Sequence, residues 1–354
     1  ITGAPSEVKT FAAQMGLYNN LTKEWTPYQV ASVGSQLSTP LLSVEQRINE
    51  SRSLSIQPGE DLRVRLHYKN TLDVALKNVS LEVELRARSA SNIVNAEEVL
   101  DFRSLQVSRG VYNGTTKRIV WSPASVAEFA SLAPHGEGDL SFMIRLNPML
   151  GVDLDFTDLV IESAAQIRAN EVPGGFEGVD LSSKDLVETK VVARTVLSSL
   201  GLYRNQYLAS AGPLPPKVGQ KTAYTVFWQI SNSLNDVRDV EVRAKLSPAA
   251  AWEKRYVPEG SAISYDETSG TIIWRVGMVA AGSGRAKPAP YIAYQISITP
   301  GLDQVGKSPI LVSDIEVRGR DTFTNEEVLL KAPNITAELK GDPTTTERDW
   351  SVIR

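Results

Sequence analysis

Apolar and polar side chains alternate with a period of two along most of this chain, and that period limits its fold more than any other feature. In Leu62-Arg-Val-Arg-Leu-His-Tyr68 the apolar residues fall at 62, 64, 66 and 68, with Arg63, Arg65 and His67 between them. Residues 79–85, 140–146, 240–246 and 292–298 alternate in the same way. Successive strand side chains point to opposite faces, so each segment buries one face and wets the other. Parallel strands covered on both sides read as continuous apolar runs instead. The pattern therefore predicts antiparallel sandwiches. Turn residues separate the strands: Gln57-Pro-Gly59, Tyr112-Asn-Gly114, Thr268-Ser-Gly270 and Ala281-Gly-Ser-Gly284. Helical periodicity is weak, and short helical turns are expected at 125–132 and 43–52. The expected class is all-β.

One unit is written twice. Pro58-Gly-Glu-Asp-Leu-Arg-Val-Arg-Leu-His-Tyr-Lys-Asn70 matches Val218-Gly-Gln-Lys-Thr-Ala-Tyr-Thr-Val-Phe-Trp-Gln-Ile-Ser-Asn232. Tyr112 stands nine residues before Trp121, as Tyr265 does before Trp274. Later, Leu146-Asn-Pro148 answers Ile298-Thr-Pro300, and residues 159–168 answer 310–318. Units of this size with seven or eight strands suit tandem immunoglobulin-like sandwiches. The division expected is a first Ig-like domain at 46–200 and a second at 201–342, joined through the Pro-rich stretch 209–216. Residues 343–354 then form a tail or linker. Residues 1–45 carry only two strands, 8–18 and 27–37, around a polar loop. They are expected to be the last two strands of a preceding unit; the alternative is an arm packed on the first domain.

Composition removes several functions. The chain has 354 residues, no cysteine and two histidines, which excludes disulfides, a thiol nucleophile and Cys- or multi-His-ligated metals. A net charge of −4 without a basic stripe argues against nucleic acid. No apolar run reaches the roughly 18–20 residues of a membrane span, and no signal peptide opens the sequence.

The remaining chemical candidates are few. Asp153, Asp155 and Asp158 sit in one loop and are the candidate for a calcium site on oxygen ligands; no other metal or cofactor is expected. His67 lies on the wet side of a strand and His135 in a turn, with no Gly-x-Ser-x-Gly elbow, so no catalytic residue is assigned. Trp121, Trp274, Tyr112 and Tyr265 recur in both units and read as core. Trp252 has no counterpart, and with Tyr256 it is the candidate for an exposed, sugar-stacking aromatic patch. Asn20, Asn49, Asn78, Asn113 and Asn334 open Asn-x-Ser/Thr sequons.

The stretch Gly212-Pro-Leu-Pro-Pro-Lys-Val-Gly-Gln-Lys-Thr-Ala-Tyr-Thr-Val-Phe-Trp-Gln-Ile-Ser-Asn232 resembles the opening of uncharacterised Ig-like repeats in bacterial cell-surface proteins. Ile272-Ile-Trp-Arg-Val-Gly277, Gln304-Val-Gly306, Arg320-Asp-Thr-Phe-Thr324 and Asn334-Ile-Thr-Ala-Glu-Leu339 fit the same pattern. The resemblance covers 212–343 best, 53–200 less closely and 1–45 least. It is to long, multi-repeat surface proteins of small-genome bacteria. It implies an extracellular, cell-surface location and a non-enzymatic structural role as surface-layer, stalk or fibre component. Implied partners are like subunits or neighbouring Ig-like repeats. The rival reading is an adhesin or carbohydrate-binding module that meets surface glycans or proteins through sandwich loops. The resemblance supplies no catalytic residues.

Overall fold

The computed structural model describes residues 8–36, 40–90, 93–150 and 156–354. A two-stranded hairpin comes first, β1 (Val8–Asn19) and β2 (Glu24–Gln36). Two antiparallel sandwiches follow. Sandwich 1 contains β3 (Leu42–Ile48), β4 (Asp61–Asn70), β5 (Leu76–Arg88), β6 (Leu100–Val107), β7 (Val111–Asn113), β8 (Arg118–Trp121), β9 (Glu137–Leu146), β10 (Val160–Glu171) and β11 (Ser182–Val191). Sandwich 2 contains β12 (Arg194–Leu202), β13 (Thr222–Ser233), β14 (Val237–Leu246), β15 (Ala250–Val257), β16 (Ile263–Asp266), β17 (Thr271–Val279), β18 (Tyr291–Ile298), β19 (Ile310–Asp321) and β20 (Glu327–Ala332). Two-residue strands at Ile93–Val94, Ser131–Leu132 and Ile335–Thr336 add to these, and Leu54–Ile56 runs parallel to β11.

The strand orders correspond. One sheet of sandwich 1 runs β3-β4-β9-β6, and its counterpart in sandwich 2 runs β12-β13-β18-β15. The facing sheets run β11-β10-β5-β8-β7 and β20-β19-β14-β17-β16. Trp121 in β8 stands opposite Leu81 of β5, and Trp274 in β17 stands opposite Val242 of β14. Tyr112 and Tyr265 pair with Ile119 and Ile272, two residues before those tryptophans. A one-residue slip would send each tryptophan to the wet side, so burial fixes the register. Trp121 is fully enclosed, and its indole N–H donates to Ser108 O (2.7 Å).

In β4 the expected alternation holds: Leu62, Val64, Leu66 and Tyr68 face the core while Arg63 and Arg65 face water. In β13 it does not. Tyr224, Val226 and Trp228 face the core, yet Ala223, Thr225 and Phe227 on the other face are buried as well. The cover is residues 203–216, which cross that face as a strap. Ala223 N–H donates to Ala211 O (2.8 Å), Thr222 Oγ1 to Pro213 O (2.9 Å) and Gln295 Nε2 to Ala209 O (2.8 Å). Tyr207 stacks on Phe227 with centroids 5.0 Å apart. The Pro-rich stretch 209–216 is therefore not the joint between domains.

Other boundaries move too. Residues 42–48 pair with β4 in register, Leu42 opposite Asn70 and Ile48 opposite Val64, so the turn expected at 43–52 is largely strand. Leu42, Val44 and Ile48 alternate into the core, and Gln46 is buried between them because its amide is satisfied. Its Nε2 donates to Ser163 O (2.9 Å) and Asp185 O (2.8 Å), and Ser163 Oγ donates to its Oε1 (2.7 Å). Residues 194–202 pair with β13 and belong to sandwich 2, which puts the joint at 192–193. At 125–132 the helical turn shrinks to a 3-10 turn, Ala127–Ala130, that sets Phe129 edge-on against Tyr68 (5.0 Å, 77°). Residues 343–354 are not a free tail: Trp350 packs against the core of sandwich 2 and Val352 is buried. No helix among the described residues is long and apolar enough to cross a membrane.

Candidate assembly surfaces

The first surface is the hairpin. β1 and β2 pair from Val8–Gln36 to Asn19–Glu24, with a bulge between Met15 and Gly16. Gly16 is required there, because a Cβ would run into the backbone of Thr26 and Pro27. Cross-strand partners share a face, so Phe11 and Val33 lie beside Ala13 and Ala31. Phe11 is 46% exposed, Leu17 63%, Tyr28 67% and Val30 57%. An arm would pack these side chains on residues 53–200, and they are in water instead.

The second surface is the joint between the sandwiches. Leu234, in the turn between β13 and β14, inserts into the core of sandwich 1. It does so at φ +72°, a conformation unfavourable for a leucine. Asn235 spans the interface. Its Nδ2 donates to Val191 O (2.8 Å) and to Asp321 Oδ2 (2.8 Å), and its Oδ1 accepts from Asp158 N–H (3.2 Å). Asp321 is fully buried and accepts from four donors. These are Ala193 N–H (2.6 Å), Asn235 Nδ2, Phe323 N–H (2.8 Å) and Thr324 N–H (3.0 Å). Lys190 donates to Phe323 O (3.2 Å) and lies 4.6 Å from the Phe323 ring centroid. A carboxylate with all its acceptor positions filled is tolerated away from water.

The residues singled out from sequence are scattered. Asp153 and Asp155 lie outside the described residues. Asp158 sits at the joint, where burial, and then Asp236 and Asp321, push its carboxyl above the usual range. Among the described residues no group of three His, Cys, Asp or Glu is placed to hold a metal. Trp252 and Tyr256 are half-buried against the core of sandwich 2. Trp252 stacks on Tyr265 (5.9 Å, 24°) and lies 5.3 Å from Tyr294. His67 pairs with Asp139 (3.2 Å), and His135 with Asp73 (2.8 Å), both near the surface. All five sequon asparagines are exposed. Sequence reasoning missed Leu234, Asn235 and Asp321. The only signal was one leucine inside the polar turn Asn232-Ser-Leu-Asn-Asp236.

No family model matches this chain, and no curated protein matches it. Among solved structures it is similar to the C-terminal domain of the Streptococcus pyogenes antigen I/II-family protein AspA. That match has 10% identity and a TM-score of 0.34, over 84% of this chain and 99% of the other. The C-terminal domain of the Streptococcus agalactiae AgI/II polypeptide BspA matches at 8% identity and a TM-score of 0.32, over 83% of this chain and 100% of that one. Similarity of that order assigns neither a family nor an activity.

Proposed function

We propose that this chain is a non-enzymatic structural component of a bacterial cell surface, a stalk, coat or fibre element in which rigid Ig-like modules set reach. The observation that carries the reading is the hairpin β1–β2. It has the place in chain order, just before a complete sandwich, that β10–β11 has before sandwich 2. Those two strands are covered by β5, which pairs along β10, and by β3, tied in through Gln46. A hairpin of the same kind with open faces fits the last two strands of a sandwich whose other strands are supplied from elsewhere. Exposed strands of this type take partners by strand addition. The joint supports the same reading, since Leu234, Asn235 and Asp321 leave the two sandwiches little freedom to swing.

Electron microscopy of surface material carrying Phe11→Asp and Val33→Asp tests this. Loss of ordered assembly, with the melting of both sandwiches unchanged, is the expected result. Intact assembly with both charges in place would overturn the reading.

A further inference from the structure

The bases of the two sandwiches hold their neighbours by the same backbone contact. In sandwich 1 the loop between β9 and β10 makes a parallel bridge from Thr157 to Leu234, and Asp158 N–H donates to Leu234 O (3.3 Å). In sandwich 2 the loop between β18 and β19 makes a parallel bridge from Val305 to Val352, and Gly306 N–H donates to Val352 O (2.9 Å). Both donors have positive φ, +52° at Asp158 and +75° at Gly306. Both acceptor residues are aliphatic and buried. The difference is ownership. Leu234 comes from the adjoining sandwich, whereas Val352 comes from a short segment folded back on its own sandwich. That segment is held at further points: Val352 N–H to Lys307 O (3.0 Å), Ile353 N–H to Pro216 O (2.8 Å), Val218 N–H to Ile353 O (3.0 Å) and Ser308 Oγ to Trp350 O (3.0 Å).

We infer that residues 350–353 are a plug seated in a sandwich-docking site, and that a second copy of this chain takes the site when the plug leaves. The second copy would dock through its turn at 70–76. That turn is built like the one that carries Leu234. Asn70 Nδ2 donates to Val74 O (2.9 Å) and Ala133 O (2.9 Å), as Asn232 Nδ2 donates to Asn235 O (2.8 Å) and Val279 O (3.1 Å). Both asparagines are buried at the ends of corresponding strands, and a leucine, Leu72 or Leu234, follows two residues later. β4 starts at the base of sandwich 1, where Gly59 N–H donates to Leu146 O, and ends at Asn70. The Leu72 turn is thus at the end of the molecule away from the joint. In the single chain Leu72 rests half-buried on its own core, and its carbonyl accepts from His135 N–H (3.2 Å). Docking exchanges these contacts for new ones, so the association is weak, and a plug tethered to its site outcompetes it. Head-to-tail contacts extend into filaments wherever the rotation from copy to copy does not close a ring.

Sedimentation velocity over rising concentration tests the plug. Every sample carries Phe11→Asp and Val33→Asp, which silence the hairpin, so a failure here leaves the hairpin reading untouched. The expected result is a monomer with the plug present and a concentration-dependent rise in mass once residues 350–354 are removed. Adding Leu72→Asp should return the plug-less chain to monomer. A plug-less chain that stays monomeric, or one that associates equally well with Leu72→Asp, overturns the proposal. Should removal of 350–354 lower the melting of sandwich 2, Val352→Asp, which keeps Trp350 in place, decides by the same readout.

Discussion

β1–β2 and β10–β11 are two hairpins of similar strand length with opposite surroundings. In β10, Ile161, Ser163, Ala165 and Ile167 are buried; of their partners in β11, Val187 and Thr189 are buried with them and Ser183 and Asp185 are half-buried. In β1–β2 the corresponding cross-strand row of Phe11, Ala13, Ala31 and Val33 lies open. Alternation decides which face of a strand is apolar, but the elements packed on that face decide whether it is dry. An isolated two-stranded hairpin is marginal in water. What holds β10–β11 is its third strand and its opposing sheet, and the described residues give β1–β2 neither.

The largest test of that contrast is a pair of truncations. Ile167→Ala in β10 removes packed atoms from a closed core and should cost about 2–5 kcal/mol in denaturant unfolding. Phe11→Ala in β1 should cost no more than about 0.5 kcal/mol, the range of ordinary surface changes. Equal costs would mean that the hairpin is covered after all.

Next in size is the joint, where two modules are held as β10–β11 is held and the hairpin is not. Asp321→Ala takes the acceptor from the part-buried N–H groups of Ala193, Phe323 and Thr324 and from the buried Asn235 amide, at about 1–3 kcal/mol in all. Small-angle scattering should show a broader range of inter-sandwich distances, with each sandwich still folded. An unchanged profile would show that Leu234 alone fixes the joint.

A smaller effect separates the two bases by pH. Burial works to raise the Asp342 carboxyl, but the Thr344 hydroxyl and the N–H groups of Tyr203, Thr344 and Arg204 outweigh it and hold it below the ordinary range. A depressed folded value stabilises above the unfolded pKa, about 4, and that contribution is lost as pH falls through the folded value. Asp158 is shifted the other way, so its contribution is present below the unfolded pKa and lost as pH rises through the folded one. Acidification should therefore lower the amide protection factors at 344–353 while those at the joint hold. The reverse would contradict this assignment.

The smallest expected effect is Gly16→Ala. It should disturb exchange within 8–36 by displacing the bulge and leave the unfolding of both sandwiches unchanged. A shift in sandwich 1 stability would mean that the hairpin and the sandwich are coupled.

The all-β class and the wet and dry faces of β4 and β5 were legible because one backbone period governs both. The matched tryptophan registers were legible because Tyr and Trp recur at fixed spacing. The edges of the sandwiches were not. Strands β3 and β12 carry Gln46 or Ser198 and Ser199 among their apolar residues, and pairing rather than periodicity recruits them. The 203–216 strap reads as a linker from its prolines, and its signal lay in β13, whose outer positions hold Ala223, Thr225 and Phe227 where β4 holds Asp61, Arg63 and Arg65. The joint was illegible for another reason. Leu234 and Asn235 look like any turn until a second sandwich stands against them.

The role proposed for β1–β2 is that of a closing hairpin covered only in the assembly. Hydrogen exchange resolved by segment, on the chain alone and on assembled surface material, tests it most directly. In the chain alone, amides of 8–36 should exchange far faster than those of 160–191. In the assembly both segments should be protected alike. Slow exchange of 8–36 in the isolated chain, or fast exchange in the assembly, would contradict the account.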